Sequence, residues 1–220
     1  MKAFLLAAGK GERLQPLTYD VPKALINVKG KPLIQWNIER LKRCGIRDII
    51  INLHHLGQKI EDFLGDGSKF GVNIQYSKEE ELLGTGGGIV NALDIIGDMP
   101  FILLSSDLWA PYPFEKLSLR ETSKAHMVLR SPTDATGDLN LSNGFINNLN
   151  LGPRYSYAGI ALIKPEIFLN VAVGYLDLWQ SFLKQEADKG FITGEIFDKS
   201  IINVNNIIDI QKIDDNIGEE

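Results

Sequence analysis

Four residues into the chain, LLAAGKGERLQPLTYDVPKAL (residues 5–25) gathers Gly9, Gly11, Arg13 and Lys23, the lysine held behind Pro16 and Pro22. Glycine amides directly after a strand can form a concave nest of N–H donors for a phosphate, because without Cβ atoms the backbone can approach the anion. Arg13 offers a planar fork to phosphate oxygens and Lys23 a compact charge, so together they could neutralise both ends of a triphosphate-to-diphosphate reaction. Two other glycine motifs are excluded. A Walker loop needs Gly, four residues, then Gly-Lys-Ser/Thr, and a dinucleotide fingerprint would want a small residue where Leu14 stands. On a GxG alone, a surface turn with two solvated cations remains the commoner alternative.

The elements that must hold these residues follow from periodicity. Lys2 to Ala8 is almost wholly apolar and ends in glycine, which predicts a buried strand. Pro32 to Cys44 predicts a helix stopped by Gly45, with Ile34, Ile38, Leu41 and Cys44 on one face. IRDIIINLHH predicts a second strand, Gly57 to Leu64 a short helix, Val72 to Tyr76 a strand and Gly87 to Ile96 a helix. Phe101 to Ser105 then predicts a strand that runs into Asp107. Such alternation implies a parallel sheet with helices on its faces, and ligands of these sheets sit outside the carboxyl ends of the strands. Both the opening glycines and Asp107 occupy that position, so two distant segments should face one cleft. After about residue 110 the alternation weakens. Short strands are expected at His126 to Leu129, Leu139 to Leu141, Phe145 to Leu149 and Tyr157 to Ile163, with a hairpin turn at Asn143-Gly144. A helix from Leu176 to Ala187, a strand from Ile201 to Val204 and a last helix capped by Asn206 complete the reading. No linker or repeat interrupts the chain, so residues 1–220 are expected to form one domain of two halves (1–110 and 111–220), one mixed sheet with an appended, partly antiparallel subregion.

Composition narrows the class. With 220 residues, 44% of them hydrophobic and 23% charged, the chain can bury one substantial core. A net charge of −5 and a pI near 5.3 supply no broad positive field, so extended contact with nucleic acid is not expected. The single cysteine, Cys44, excludes an internal disulfide and is expected to be a buried thiol. The start lacks the pattern of a signal peptide and no apolar run reaches membrane-spanning length, so a cytoplasmic location without membrane contact is expected.

The string LAAGxGxRLxPLTxxxPKxL, matched without a gap from Leu6 to Leu25, resembles the signature of the sugar-1-phosphate nucleotidyltransferases. The likeness continues through INLHHLGQKIEDFLGDGSKFGVNIQYSKEEELLGTGGGI to PFILLSSD and thins in the second half. It implies an α/β fold of Rossmann-like, glycosyltransferase-A type: a mixed, mostly parallel sheet with helices on both faces and a small antiparallel sugar-binding subregion. It also implies Mg2+ as cofactor and two substrates, a nucleoside triphosphate with UTP favoured and a sugar 1-phosphate. N-acetylmuramate 1-phosphate is the favoured sugar, as in cell-wall recycling, and GTP with mannose 1-phosphate is the alternative. The repeat-built acyltransferase domain of longer relatives is not expected. By the same resemblance Leu6, Ala7, Ala8 and Gly9 would lie along the nucleoside and Gly11 at the phosphates. Arg13 would hold the β and γ phosphates and Lys23 the reacting α-phosphate. Thr85 and Gly86 in LLGTGGG would read the base, with a structural tight turn as the other reading. Asp107 would bind the metal, with helix capping as its alternative. Asp138, Tyr157 and Gly159 would line the sugar pocket, where ordinary hairpin or core roles are equally open.

One departure stands out. Relatives carry Trp-x-Asp-x-Gly-Thr near the C-terminus, with the aspartate as second carboxylate on the metal; here Ile201, Asn203 and Asn205-Asn206 fall at those positions. Asparagine keeps an oxygen ligand but loses a charge, so metal affinity should fall, or Asp198 or Asp209 should substitute. A nucleotide- or sugar-phosphate-binding protein with weakened turnover is therefore the second function class. His54 and His55 are expected at a cleft edge or in packing, KEEE (residues 78–81) as a solvated loop, and Trp36, Trp109 and Trp179 in packing.

Overall fold

The computed structural model of the protein describes residues 1–131, 137–147, 153–197 and 199–215. Thirteen strands and six α-helices are assigned among them. The first half contributes β1 (Lys2–Leu6), β2 (Asn27–Val28), β3 (Lys31–Pro32), α1 (Leu33–Arg43), β4 (Asp48–Leu53), α2 (Gly57–Leu64), β5 (Asn73–Lys78), α3 (Gly84–Asn91), α4 (Leu93–Ile96), β6 (Phe101–Ser105) and β7 (Leu108–Trp109). The second half adds β8 (Ala125–Arg130), β9 (Leu139–Ser142), β10 (Phe145–Asn147), β11 (Arg154–Ile163), α5 (Lys184–Asp188), β12 (Ile192–Ile196), β13 (Ile202–Asn203) and α6 (Ile207–Asp215).

Nine strands form one sheet in the order β5-β4-β1-β6-β11-β8-β12-β10-β9. The block β5-β4-β1-β6 is parallel. β11 enters antiparallel to both β6 and β8, and β12 then runs parallel to β8. The sheet is thus continuous across both halves, with its antiparallel hairpins in the second.

Alternation in the buried strands sorts their side chains onto two cores. Ala3, Leu5, Ile49, Ile51, Ile102 and Leu104 meet Ile34, Ile38 and Leu41 of α1 and Ile60 and Leu64 of α2. Phe4, Ile50, Phe101 and Leu103 meet Ile89 and Val90 of α3, Ile96 of α4, and Phe168, Phe182 and Leu183 on the other side. Helices therefore cover both faces, as continuous apolar strands require; each such side chain contributes about 1.5–3 kcal/mol on burial. A third, smaller core joins Leu14, Leu33, Trp36, Trp109, Val204 and Ile213. It locks the opening loop onto the C-terminal segment.

Three local differences from the sequence reading have physical causes. β12 lies in ITGEI, which carries no continuous apolar run, and its Gly194 is placed where a Cβ would meet Ile146 Cδ1 at 2.9 Å. The helix expected from Leu176 begins only after Asp177, whose Oδ1 accepts from Gln180 N at 2.7 Å, and runs as a π-helical turn (Trp179–Leu183) into α5. Leu176 is diverted because its backbone pairs with Leu83 and with the amides of Gly86 and Gly87. Cys44 is half-buried rather than buried, and its Sγ donates to Glu115 Oε2 at 2.9 Å. Burial and the neighbouring Glu115 carboxylate push that thiol's pKa up. Asn206 does cap α6, its Oδ1 accepting from Asp209 N at 3.0 Å. The expected strand end at Asn148 and Leu149 lies outside the described residues.

Candidate functional site

Three segments converge at the carboxyl ends of the parallel strands: the chain after β1, the LLGTGGG stretch that opens α3, and the chain after β6. Their pairing explains why. Leu6 is the last residue of β1 in register with Ser105 of β6, and Ser106 prolongs the contact, its N and Oγ donating to Leu6 O at 3.1 and 2.6 Å. Asp107 follows at once in a turn.

The smaller of two cavities here, about 410 Å3, is lined by Gly9, Lys10, Gly11, Glu12, Arg13, Leu14, Lys23, Leu82 and Asp107. A Cβ on Gly9 would meet nothing within 4 Å, so the bare backbone leaves this wall open. Gly11 adopts φ +66°, and a Cβ there would press on Thr18 Cγ2 at 2.9 Å, while Thr18 Oγ1 donates to Gly11 O at 2.8 Å. The loop is fixed in a left-handed turn that glycine tolerates. Arg13 and Lys10 are exposed at the rim. Lys23 is largely buried, forms an ion pair with Asp107, and also donates to Asn205 Oδ1 at 3.1 Å. The two segments expected to face one cleft do so.

The larger cavity, about 450 Å3, is lined by Leu6, Thr85, Ser105, Met127, Asp138, Leu139, Tyr157, Gly159, Asp177, Leu178, Trp179, Gln180, Leu183 and Asn203. Gly159 takes φ +82° where the register between β11 and β8 shifts, and a Cβ there would meet Leu108 Cδ1 at 2.7 Å. Tyr157, where that shift begins, also lines the cavity; its hydroxyl is buried without a hydrogen-bond partner, and burial raises its pKa. Each of the three converging segments lines both cavities: Leu6 one and Gly9 the other, Thr85 and Leu82, Ser105 and Asp107. Together they form a partition between the two spaces.

Most candidates from the sequence line these walls. Ala7 and Ala8 are buried in the partition, Ala7 N donating to Asn52 Oδ1 at 2.7 Å. Thr85 Oγ1 accepts from Leu178 N at 3.1 Å and Gly86 N donates to Leu176 O at 2.9 Å, so both already have protein partners. Asn203, paired in register with Leu108 beside Asp107, lines the larger cavity and presents a buried Oδ1 with no hydrogen-bond partner. Asp209 is engaged, its Oδ2 accepting from Asn205 N and Asn206 N at 2.8 and 3.2 Å, and Asp198 lies outside the described residues. Oxygen donors suit Mg2+, and an orphaned buried carbonyl oxygen next in the chain pairing to a carboxylate fits that ion. Among the described residues no three His, Cys, Asp or Glu side chains cluster, so further ligands would have to be phosphate or water oxygens.

Other contacts here escaped the sequence reading or bear on its remaining residues. Lys10 stands between the two glycines, a signal available in the string itself. Glu79, expected in a solvated loop, is instead 6% exposed, its Oε1 accepting from Asn52 Nδ2 at 2.7 Å and its Oε2 from Leu83 N at 3.1 Å. Asn205 reaches Lys23 from 182 positions away, which no local pattern announces. Trp36 and Trp109 pack edge to face at 5.1 Å, whereas Trp179 lines the larger cavity. His54 Nδ1 lies 3.1 Å from Glu79 O, and His54 lines neither cavity.

Comparison with known proteins adds to this geometry. A family model described as nucleotidyl transferase matches residues 2–137. The chain is 38% identical over 205 residues to N-acetylmuramate alpha-1-phosphate uridylyltransferase of Neisseria meningitidis serogroup B, covering 89% of each chain. It is 41% identical over 120 residues to mannose-1-phosphate guanyltransferase of Gibberella zeae, which is 53% of this chain and 33% of that protein. In fold it resembles HddC from Yersinia pseudotuberculosis, with a TM-score of 0.81 over 99% of both chains at 22% identity. No helix among the described residues is long and apolar enough to cross a membrane.

Proposed function

The chain belongs to the nucleotidyl transferase family as a sugar-1-phosphate nucleotidyltransferase, and we propose that it joins UTP to N-acetylmuramate 1-phosphate with release of pyrophosphate. The observation that carries the reaction is the smaller cavity, where glycine backbone, three cations and the carboxylates of Glu12 and Asp107 meet from segments far apart in sequence. In this reading the triphosphate lies along Gly9 to Arg13. Arg13, with Lys10 beside it, neutralises the β and γ phosphates of the leaving pyrophosphate. Lys23 faces the α-phosphate, where negative charge concentrates as a sugar phosphate oxygen attacks phosphorus and the bond to the β-phosphate oxygen breaks. No protein nucleophile is needed; positioning and charge neutralisation supply the rate. Mg2+, when bound by Asp107, Asn203 Oδ1 and phosphate oxygens, supplies further neutralisation of the phosphates. Leu6 to Ala8, with Thr85 and Gly86, border the nucleoside, and Asp138, Tyr157 and Gly159 border the sugar. Their shared place on the lining of the larger cavity supports that assignment.

The choice of UTP and N-acetylmuramate 1-phosphate is supported by the near-full-length similarity to the Neisseria protein. GTP with mannose 1-phosphate is the second reading, supported by the partial match to the Gibberella protein. Asn203 supports a third, a binding protein with weakened turnover. Pyrophosphate release measured with Mg2+ over a panel of nucleoside triphosphates and sugar 1-phosphates tests all three. UTP with N-acetylmuramate 1-phosphate should give the highest kcat/KM. A preference for GTP with mannose 1-phosphate selects the second reading. Silence across the panel, with activity gained in Asn203→Asp, selects the third.

A further inference from the structure

A chain of buried polar contacts runs beneath the partition between the two cavities. Ala7 N donates to Asn52 Oδ1 at 2.7 Å, Asn52 Nδ2 donates to Glu79 Oε1 at 2.7 Å, and Leu83 N donates to Glu79 Oε2 at 3.1 Å. Asn52 is 2% exposed and Glu79 6%. Ala7 sits between Leu6 on one cavity and Gly9 on the other, and Leu83 sits between Leu82 and Thr85, which divide the same way. The chain therefore ties together two walls that come from segments more than seventy residues apart. Glu79 is itself fixed, its N donating to Leu53 O at 2.8 Å where β4 ends. Gly88 of α3 closes over the pair: a Cβ there would stand 2.7 Å from Glu79 Oε1 and 2.9 Å from Asn52 Nδ2.

From this geometry we infer that Asn52 and Glu79 are positioning residues for the nucleotide, a clamp that sets the spacing between the chain after β1 and the LLGTGGG segment. The inference rests on the reading that those two walls hold the nucleoside triphosphate. A buried carboxylate engaged only by hydrogen-bond donors is an expensive way to fill space, since a leucine of similar volume would pack there without desolvation cost. What the carboxylate supplies is two acceptors at fixed separation, one for each wall. A clamp of this kind acts on nucleotide affinity and leaves the sugar phosphate largely alone, whereas a filler of the core would act on stability only.

Glu79→Gln places an N–H2 against one of its two donors, and Asn52→Asp places a carboxylate against the Glu79 carboxylate. The double variant N52D/E79Q reverses only the bond between residues 52 and 79, leaves an acceptor for each of the Ala7 and Leu83 N–H groups, and so restores every contact. Binding of UTP and of GTP with Mg2+ is measured by calorimetry, alongside KM for both substrates. Each single variant is expected to weaken the bound nucleotide roughly tenfold, a charged hydrogen bond's contribution, with KM for the sugar phosphate within about twofold. The double variant should recover the wild-type Kd. Gly88→Ala, which presses on the pair without altering it, should weaken nucleotide binding in the same direction and decides the matter if Asn52→Asp does not fold. Folded single variants that bind nucleotide as tightly as wild type overturn the clamp, as does a double variant that regains thermal stability but not affinity. If the wild-type protein binds neither UTP nor GTP, the reading of the cavities falls and the clamp falls with it.

Discussion

Replacing Lys23 with methionine separates the chemistry of the smaller cavity from its structural role. Methionine keeps an unbranched apolar stem and deletes the charge. In the free protein the substitution breaks the ion pair with Asp107 and the hydrogen bond to Asn205. The Lys23 and Asp107 side chains are 14% and 19% exposed, between the surface limit, where pairs contribute under 1 kcal/mol, and the buried limit, where losing one partner costs 3–5 kcal/mol. A loss of about 1–2 kcal/mol follows, or roughly 2–8 °C in Tm for a chain of this size. Turnover should suffer more. A preorganised charge aimed at a developing anion is worth about 3–4 kcal/mol of barrier, a factor of roughly 100 to 1000 in kcat. The assay is pyrophosphate release at saturating substrates and 25 °C, with denaturant unfolding run in parallel. Retention of more than about a tenth of the wild-type kcat, in a variant that unfolds near its expected midpoint, would refute the placement of Lys23 at the reacting phosphate.

Asn203→Asp should lower the Mg2+ concentration for half-maximal activity by about tenfold, because it adds a carboxylate where an unpartnered oxygen already lies; an unchanged Mg2+ titration would remove Asn203 from the metal's shell. Gly159→Ala, which forces a Cβ into left-handed backbone and toward Leu108 Cδ1 at 2.7 Å, should raise KM for the sugar phosphate about tenfold or more while leaving nucleotide Kd within twofold. Equal effects on both substrates would contradict the assignment of Gly159 to the sugar. Glu186 gives a pH test: burial raises its pKa, but hydrogen bonds from Lys124 and Lys189 outweigh burial and hold the carboxyl below its ordinary value. Stability from that cluster is present above the ordinary carboxylate range and lost as pH falls through the depressed value, so the Tm gap between wild type and Glu186→Gln should hold from pH 7 to about pH 5 and narrow as pH falls below about 4. A constant gap would show that the two lysines contribute nothing through the charge of Glu186.

What could be read from the sequence was local. The opening glycines, Arg13 and Lys23 lie within fifteen residues, and four apolar runs with intervening helices announced the parallel block and its carboxyl-end cleft. Asp107 was legible because it ends such a run. The second half hid its strands: Gly194 interrupts β12 for the sake of a close approach to Ile146, and Gly159 bends β11 by a backbone conformation that no side-chain pattern encodes. The helix from Leu176 was overestimated because its first residues are recruited by the backbone of Leu83, Gly86 and Gly87, a tertiary demand that overrides propensity. Glu79 reads as solvated within Lys-Glu-Glu-Glu, and only the arrival of Asn52, 27 positions earlier, makes it an interior residue.

The C-terminal segment touches the first half of the chain at three points: β13 pairs with β7 beside Asp107, Asn205 accepts from Lys23, and Asp214 accepts from Lys29 N at 2.7 Å. The timing of synthesis is thereby constrained. While residues beyond about 200 are still inside the ribosome, Lys23 lacks one of its two anchors and the third core lacks Val204 and Ile213. A nascent chain can lay down its parallel strands early, yet the wall that carries Lys23 gains its Asn205 contact and the third core closes only once the segment beyond residue 200 has joined them.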